Sequence, residues 1–233
     1  MILLQEEWDV ILLSLKIASW CVAVSLLPAL FCGWLLARRE FFGKTLLNAF
    51  LHLPLVVPPV VVGYFLLVTL GRNGTVGSWL YDSFDITLIF TWKGAVIAAA
   101  VMAFPLMVRA IRSSFEEMDA RLEQAALTLG RSRLSVFLTI TLPLILPGLI
   151  SGITLGFARA LGEFGATITF VSNIPGETRT LPIAIYTLIQ IPGGEDQVMR
   201  LVIISVALAF VTIALSEWFT RRSRRKLMGK SHA

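Results

Sequence analysis

DARLEQAALTLGRSRLSVFLTITLP, residues 119–143, lies between two long apolar runs, and how it is read decides what kind of protein this is. The stretch is charged yet strongly helix-forming. Met118, Leu122, Ala125, Ala126 and Leu129 recur at helical spacing and give one apolar face. Asp119 suits an N-cap, since its carboxylate accepts amide hydrogens left free in the first turn. Gly130 suits the stop, because glycine takes the left-handed C-terminal position without steric cost. A helix of about a dozen residues has little stability alone in water. Its small alanine face therefore predicts a handle that docks into a groove on a soluble partner rather than a plain solvated loop.

The surrounding chain sets that handle in a membrane. Of 233 residues, 56% are hydrophobic and only 15% charged, and the mean hydropathy is +0.80. Soluble domains carry nearer ~25% charge. The apolar excess gathers in runs long enough to cross a bilayer, which predicts an all-α integral membrane protein with a five-helix transmembrane bundle. The spans are expected at about residues 10–37, 46–70, 94–111, 136–171 and 198–218, with a cytoplasmic coupling segment at 112–135 and a basic cytoplasmic tail at 219–233. Together they make a single domain over residues 1–233. The acidic start, MILLQEEWD, does not look like a cleaved signal peptide, so the first span is expected to direct insertion.

Several features of these runs carry structural meaning. Pro54, Pro58 and Pro59 interrupt the second span, and the backbone they free must face protein or a cavity rather than lipid. Residues 71–92 read as an external loop, with Trp79, Tyr81 and Trp92 at headgroup depth. Gly148, Gly152, Gly156 and Ala160, four apart, form a small-residue stripe for close helix packing. Residues 181–191 are apolar but too short to cross, and read as external or re-entrant. Cys21 and Cys32 lie on one helix, where they serve as packing residues.

Charge sets the orientation. Arg38, Arg39 and Lys44, the group from Arg109 to Arg133, and Arg221, Arg222, Arg224, Arg225, Lys226 and Lys230 of the tail fall on one side. Lys16, Arg72, Lys93, Arg179 and Arg200 lie at the other. The positive-inside rule then places the amino terminus outside and the carboxyl terminus inside. The net charge of +5 thus belongs to membrane anchoring, with affinity for anionic lipid, and not to a nucleic-acid partner.

No Walker A, HExxH or GxSxG pattern is present, and His52 and His232 stand alone. No catalytic residue, metal site or cofactor is expected, and any ATP must be hydrolysed by another chain. His52 reads as bonded to a backbone carbonyl. Arg159 and Glu163, four apart in the fourth run, can pair on one helix face. They read either as a structural ion pair or, with Thr167 and Thr169, as part of a translocation path.

Ala125-Ala126, Gly130, Ile140 and Leu142-Pro143 resemble the cytoplasmic "EAA" signature of bacterial ABC importer permeases: Glu-Ala-Ala, three residues, Gly, nine residues, Ile, one residue, Leu-Pro. Gln124 stands at the glutamate position, and Glu123 lies one place earlier. Beyond that segment, LHLPLVVPPVVVGYFLLV (51–68) and LGEFGATITFVSNIPGETRTLPIAIYTLIQ (161–190) are similar to the molybdate-type permeases, whose class includes sulfate/thiosulfate and spermidine/putrescine permeases. The resemblance implies the type I ABC importer permease fold, a homodimer in the bacterial inner membrane, two cytoplasmic ATPase subunits and a periplasmic molybdate-binding protein. Glu123, Gln124, Ala125, Ala126, Gly130, Ile140, Leu142 and Pro143 would then couple to the ATPase. A sulfate/thiosulfate or tungstate permease is the nearest alternative. A small intramembrane enzyme or a channel is the alternative of a different class.

Overall fold

A computed structural model describes the backbone of residues 4–229 and the side chains of residues 4–222. Of the basic tail, Arg224, Arg225, Lys226 and Lys230 lie outside the described side chains. Among the described residues every regular element is helical. Helix α1 (Gln5–Arg38) crosses first, followed by α2 (Lys44–Val56), α3 (Pro59–Leu70) and α4 (Thr75–Phe84). Next come α5 (Trp92–Glu117), α6 (Ala120–Thr128) and a single turn, α7 (Arg133–Val136). A π-helical turn, Phe137–Thr141, leads directly into α8 (Leu142–Leu161). The chain closes with α9 (Gly165–Val171), α10 (Leu181–Ile189) and α11 (Glu195–Gly229).

Four helices are long and apolar enough to cross a membrane, and five spans result if the bent pair α2–α3 counts as one. That pair departs from the expected single kinked helix, because the chain bends by 112° between its two halves. Pro58 and Pro59 explain the break. A residue before proline is driven out of the α region, and Val57 and Pro58 both sit in extended backbone with ψ near 137° and 135°. Pro59 then opens α3, where its missing N–H costs nothing.

The fourth run also differs from its expected limits. It begins earlier, at Arg133, and ends at Leu161 rather than running to residue 171. Pro143 lacks an amide hydrogen and its ring crowds the carbonyl four residues back, so the helix widens before it into the π turn, where Leu142 N–H reaches Phe137 O. At the far end Gly162 stops α8, and α9 turns away as a separate helix packed on α3. Two further limits shift: α5 continues beyond residue 111 to Glu117, and the segment 71–92, expected as a loop, carries α4, which presents Trp79. Residues 181–191 hold α10, only about 13 Å long. Leu181, Ile183 and Ala184 of α10 are buried, and Leu181 N–H donates to Ser14 Oγ of α1 at 2.8 Å.

The core is built on α5. Its alanines, Ala95, Ala98, Ala99 and Ala103, allow α1 to lie close, and its lower half meets the glycine stripe of α8. Side chains at Gly148, Gly152 and Gly156 would run into Ser114, Ile111 and Met107 of α5, so the stripe serves packing within one chain. At the start of α1 the buried Glu7 accepts Leu4 N–H at 2.9 Å and pairs with Arg200 Nη2 at 2.8 Å, tying α1 to α11. Lys16 Nζ sits 3.8 Å from the centre of the Trp92 ring. Cys21 is buried, and both cysteines are free.

Candidate functional site

The segment after α5 folds as its sequence predicts. Asp119 caps α6 by accepting Arg121 N–H at 2.9 Å. The far end is a Schellman arrangement: Gly130 N–H reaches Leu127 O at 3.0 Å and Arg131 N–H reaches Ala126 O at 3.2 Å, with Gly130 at φ +82°. Ser132 caps the next turn through Ser135 N–H.

The two alanines do different things. Leu122, Ala125 and Leu129 are exposed, Leu129 to 84%, and form an apolar edge left open among the described residues. Ala126 is 8% exposed and faces inward, where α6 rests on α7 and the π turn. The expectation of one outward face from Met118 to Leu129 is therefore corrected. At 100° per residue neighbouring positions diverge, and Met118 and Ala126 pack into their own protein. Gln124 points outward, whereas Glu123 turns in. Glu123 Oε1 accepts Thr141 Oγ1–H at 2.5 Å, and its Oε2 lies 3.9 Å from Arg38 Nη2. Arg38 also donates to Met118 O at 3.2 Å. One carboxylate so joins α6, the π turn and the C-terminal end of α1. Of the remaining signature residues, Ile140 lies in the π turn, while Leu142 and Pro143 open α8, Leu142 against the core.

Sequence reading missed Arg38 and Thr141 as parts of this arrangement. Arg38 carried only an orientation signal, and its distance of 85 residues along the chain from Glu123 hid the contact.

The second candidate group gathers where α8 ends. Arg159 and Glu163 form an ion pair, with Glu163 2% exposed. The pair does not lie within one helix face, since Glu163 follows the last turn of α8 and its Oε1 accepts Ala166 N–H at 2.8 Å to start α9. Thr169 donates to Gly165 O at 2.8 Å, and Thr167 is buried. A Cβ at Gly63 would stand 2.6 Å from Ala166 O, so α3 and α9 cross at near-backbone contact. These residues make a satisfied joint between α8, α9 and α3. His52 Nδ1 donates to Asn48 O at 2.8 Å, the carbonyl one turn back on its own helix. Among the described residues no cluster of His, Cys, Asp or Glu could hold a metal ion.

The membrane helices, the capped α6 between α5 and α8, and the signature spacing find their match among transport proteins. Residues 29–225 match the model of the family described as binding-protein-dependent transport system inner membrane component. The chain belongs to this family. As an inner membrane component of this transport family it is a transport subunit rather than an enzyme, and the EAA signature is typical of its class. The chain is similar, at 63% identity over 226 residues, to the molybdenum transport system permease protein ModB of Escherichia coli (strain K12), covering 97% of this chain and 99% of that protein. ModB of Haemophilus influenzae is 56% identical, with 95% and 96% covered. The sulfate transport system permease protein CysT of E. coli (strain K12) is 34% identical, with 93% and 82% covered. Among solved structures, a bacterial ABC transporter involved in import of the acidic polysaccharide alginate superposes at a TM-score of 0.74 with 16% identity, covering 94% of this chain and 80% of that one. The MetNI methionine ABC transporter, in an inward-facing form, gives 0.67 at 14% identity, with 94% of each chain covered. The all-α fold is that of type I ABC importer permeases.

Proposed function

We propose that this permease carries molybdate across the inner membrane by alternating access, driven by separate ATPase subunits and fed by a periplasmic molybdate-binding protein. The observation that carries the substrate reading is the 63% identity to ModB over nearly the whole of both chains, against 34% for the sulfate permease CysT. In this reading residues 1–233 form one permease domain, with the amino terminus periplasmic and the segment 112–135 and tail 219–233 cytoplasmic. The exposed edge of Leu122, Ala125 and Leu129 seats in the ATPase groove, with Gln124 at the rim. Glu123, Ala126, Gly130, Ile140, Leu142 and Pro143 keep that edge fixed to the bundle, so that a movement of the ATPase becomes a movement of α1, α5 and α8.

A second copy of the chain completes the path. Helix α2 buries no residue, and the broken backbone between α2 and α3 cannot be left to hydrocarbon. Arg159 and Thr169, partly exposed, face the path, and Glu163 and Thr167, buried behind them, hold that part of its wall fixed. ATP binding and hydrolysis shift the inward–outward equilibrium because the ATPase grips α6 differently in the two states. Anionic lipid holds the basic inner surface.

The test is uptake by the complete assembly in proteoliposomes with radiolabelled molybdate, tungstate, sulfate and thiosulfate offered separately. ATP-dependent molybdate uptake that excess sulfate does not suppress is the expected result. Uptake of sulfate or thiosulfate in its place would overturn the substrate, and uptake independent of ATP would overturn the importer in favour of a channel.

A further inference from the structure

A cleft of about 310 Å³ lies between α2 and α5, and all six side chains lining it are polar or charged: Asn48, His52, Arg109, Arg112, Ser113 and Glu116. At roughly 30 Å³ per water molecule it holds several waters, or an oxyanion with part of its hydration shell. Ser113 and Arg109 lie one and two turns from the inner end of α5, and Asn48 and His52 lie one and two turns inside α2.

Its donors are already oriented. Arg112 Nε donates to Glu116 Oε1 at 2.7 Å and Nη1 to Asn48 Oδ1 at 3.0 Å, which fixes the guanidinium and leaves Nη2 free. Because Asn48 accepts through Oδ1, its amide hydrogens remain available to donate. His52 is tied back to Asn48 O through Nδ1. Glu116 cancels the charge of Arg112, whereas Arg109 makes no hydrogen bond or ion pair among the described residues and keeps its full donor fork. The cleft is therefore net positive and donor-rich. The Arg159–Glu163 joint, by contrast, is internally neutral.

We infer that this cleft binds a free tetrahedral oxyanion at the inner mouth of the translocation path, with Arg109 as its principal ligand and Arg112, Asn48 and Ser113 completing the donors. The inference rests on the permease reading above. A planar fork with five N–H donors suits two oxygens of such an anion at once, which a lysine ammonium does not reproduce. A lipid phosphate offers the same chemistry, so the experiment must separate the two sources.

Permease–ATPase complex purified in detergent with phosphatidylcholine as its only lipid, and without binding protein, is dialysed to equilibrium against radiolabelled molybdate and, separately, sulfate. The wild-type complex should retain oxyanion in a salt-sensitive manner. Arg109→Gln should weaken retention about tenfold and Arg109→Lys less. Ser113→Ala and Asn48→Ala should each weaken it about threefold, and they decide the matter if Arg109→Gln fails to assemble on gel filtration. Equal retention by the wild-type and variant complexes would overturn the site. So would loss of co-purified phosphatidylglycerol in Arg109→Gln, prepared from native membranes, with oxyanion retention unchanged. The uptake assay fails separately: molybdate import without oxyanion retention here removes only the cleft, and sulfate retention without molybdate import removes only the substrate.

Discussion

At the scale of single residues, Gly130 and Glu123 carry the sharpest consequences. Gly130 has φ +82° and open space where a Cβ would lie, so a side chain there meets backbone strain and nothing else. Gly130→Val should cost about 1–2 kcal/mol locally, leaving the bundle inserted while disturbing the end of α6. Reconstituted complexes should then lose uptake and no longer raise ATP hydrolysis in response to loaded binding protein; wild-type stimulation would remove α6 from the coupling route. Ala125→Glu should have the same effect from the outside, whereas Ala126→Glu would put a carboxylate into a buried contact and unseat α6 itself. Glu123→Ala breaks contacts to Thr141 and Arg38 together. Because Glu123 and Arg38 are both partly exposed, losing their ion pair should cost little, about 1 kcal/mol, to which the buried Thr141 hydroxyl adds the loss of its partner; hydrolysis should continue with reduced uptake. Uptake and hydrolysis per complex, measured together, check the ratio.

At the scale of elements, the glycines separate rigid contacts from yielding ones. A methyl group at Gly63 would meet the Ala166 carbonyl at 2.6 Å, and backbone cannot step aside. At Gly156 it would meet Met107 Sδ, also at 2.6 Å, on a flexible side chain able to find another rotamer. Gly63→Ala should therefore lower the midpoint of thermal aggregation in detergent by several degrees, and Gly156→Ala by clearly less. The reverse order would contradict the close α3–α9 crossing. Gly152→Leu should be worse than either, because Ile111 and the Met107 carbonyl already bound that space at 3.2 and 3.3 Å.

At the scale of the whole molecule, the prediction concerns orientation. The basic residues at the end of α1, around α6 and at the end of α11 are expected on one side, so a reporter fused after Ala233 should respond as a cytoplasmic domain. A periplasmic response would require α10 to cross, which a nine-residue helix cannot do alone. The same arithmetic accounts for the large exposed apolar surface of α3 and α11, with Phe65 and Phe210 turned outward. Hydrocarbon and a second copy together are its expected environment.

Composition and run length alone determined that the chain is a helical membrane protein. Hydrophobic thickness is a one-dimensional constraint that local sequence must satisfy. Caps are equally local, so Asp119 and Gly130 announced the limits of α6 before any contact was known. The tertiary structure decided what depends on direction and distance. It turned Ala126 and Glu123 inward while leaving Ala125 outward, because a facing surface exists only once α7 and the π turn are in place. It bent the chain by 112° at the α2–α3 break, where proline spacing foretold a kink but not its angle. It also brought Arg38 to Glu123 and Asn48 to Arg112, since contacts between helices are set by packing and leave no period in the sequence.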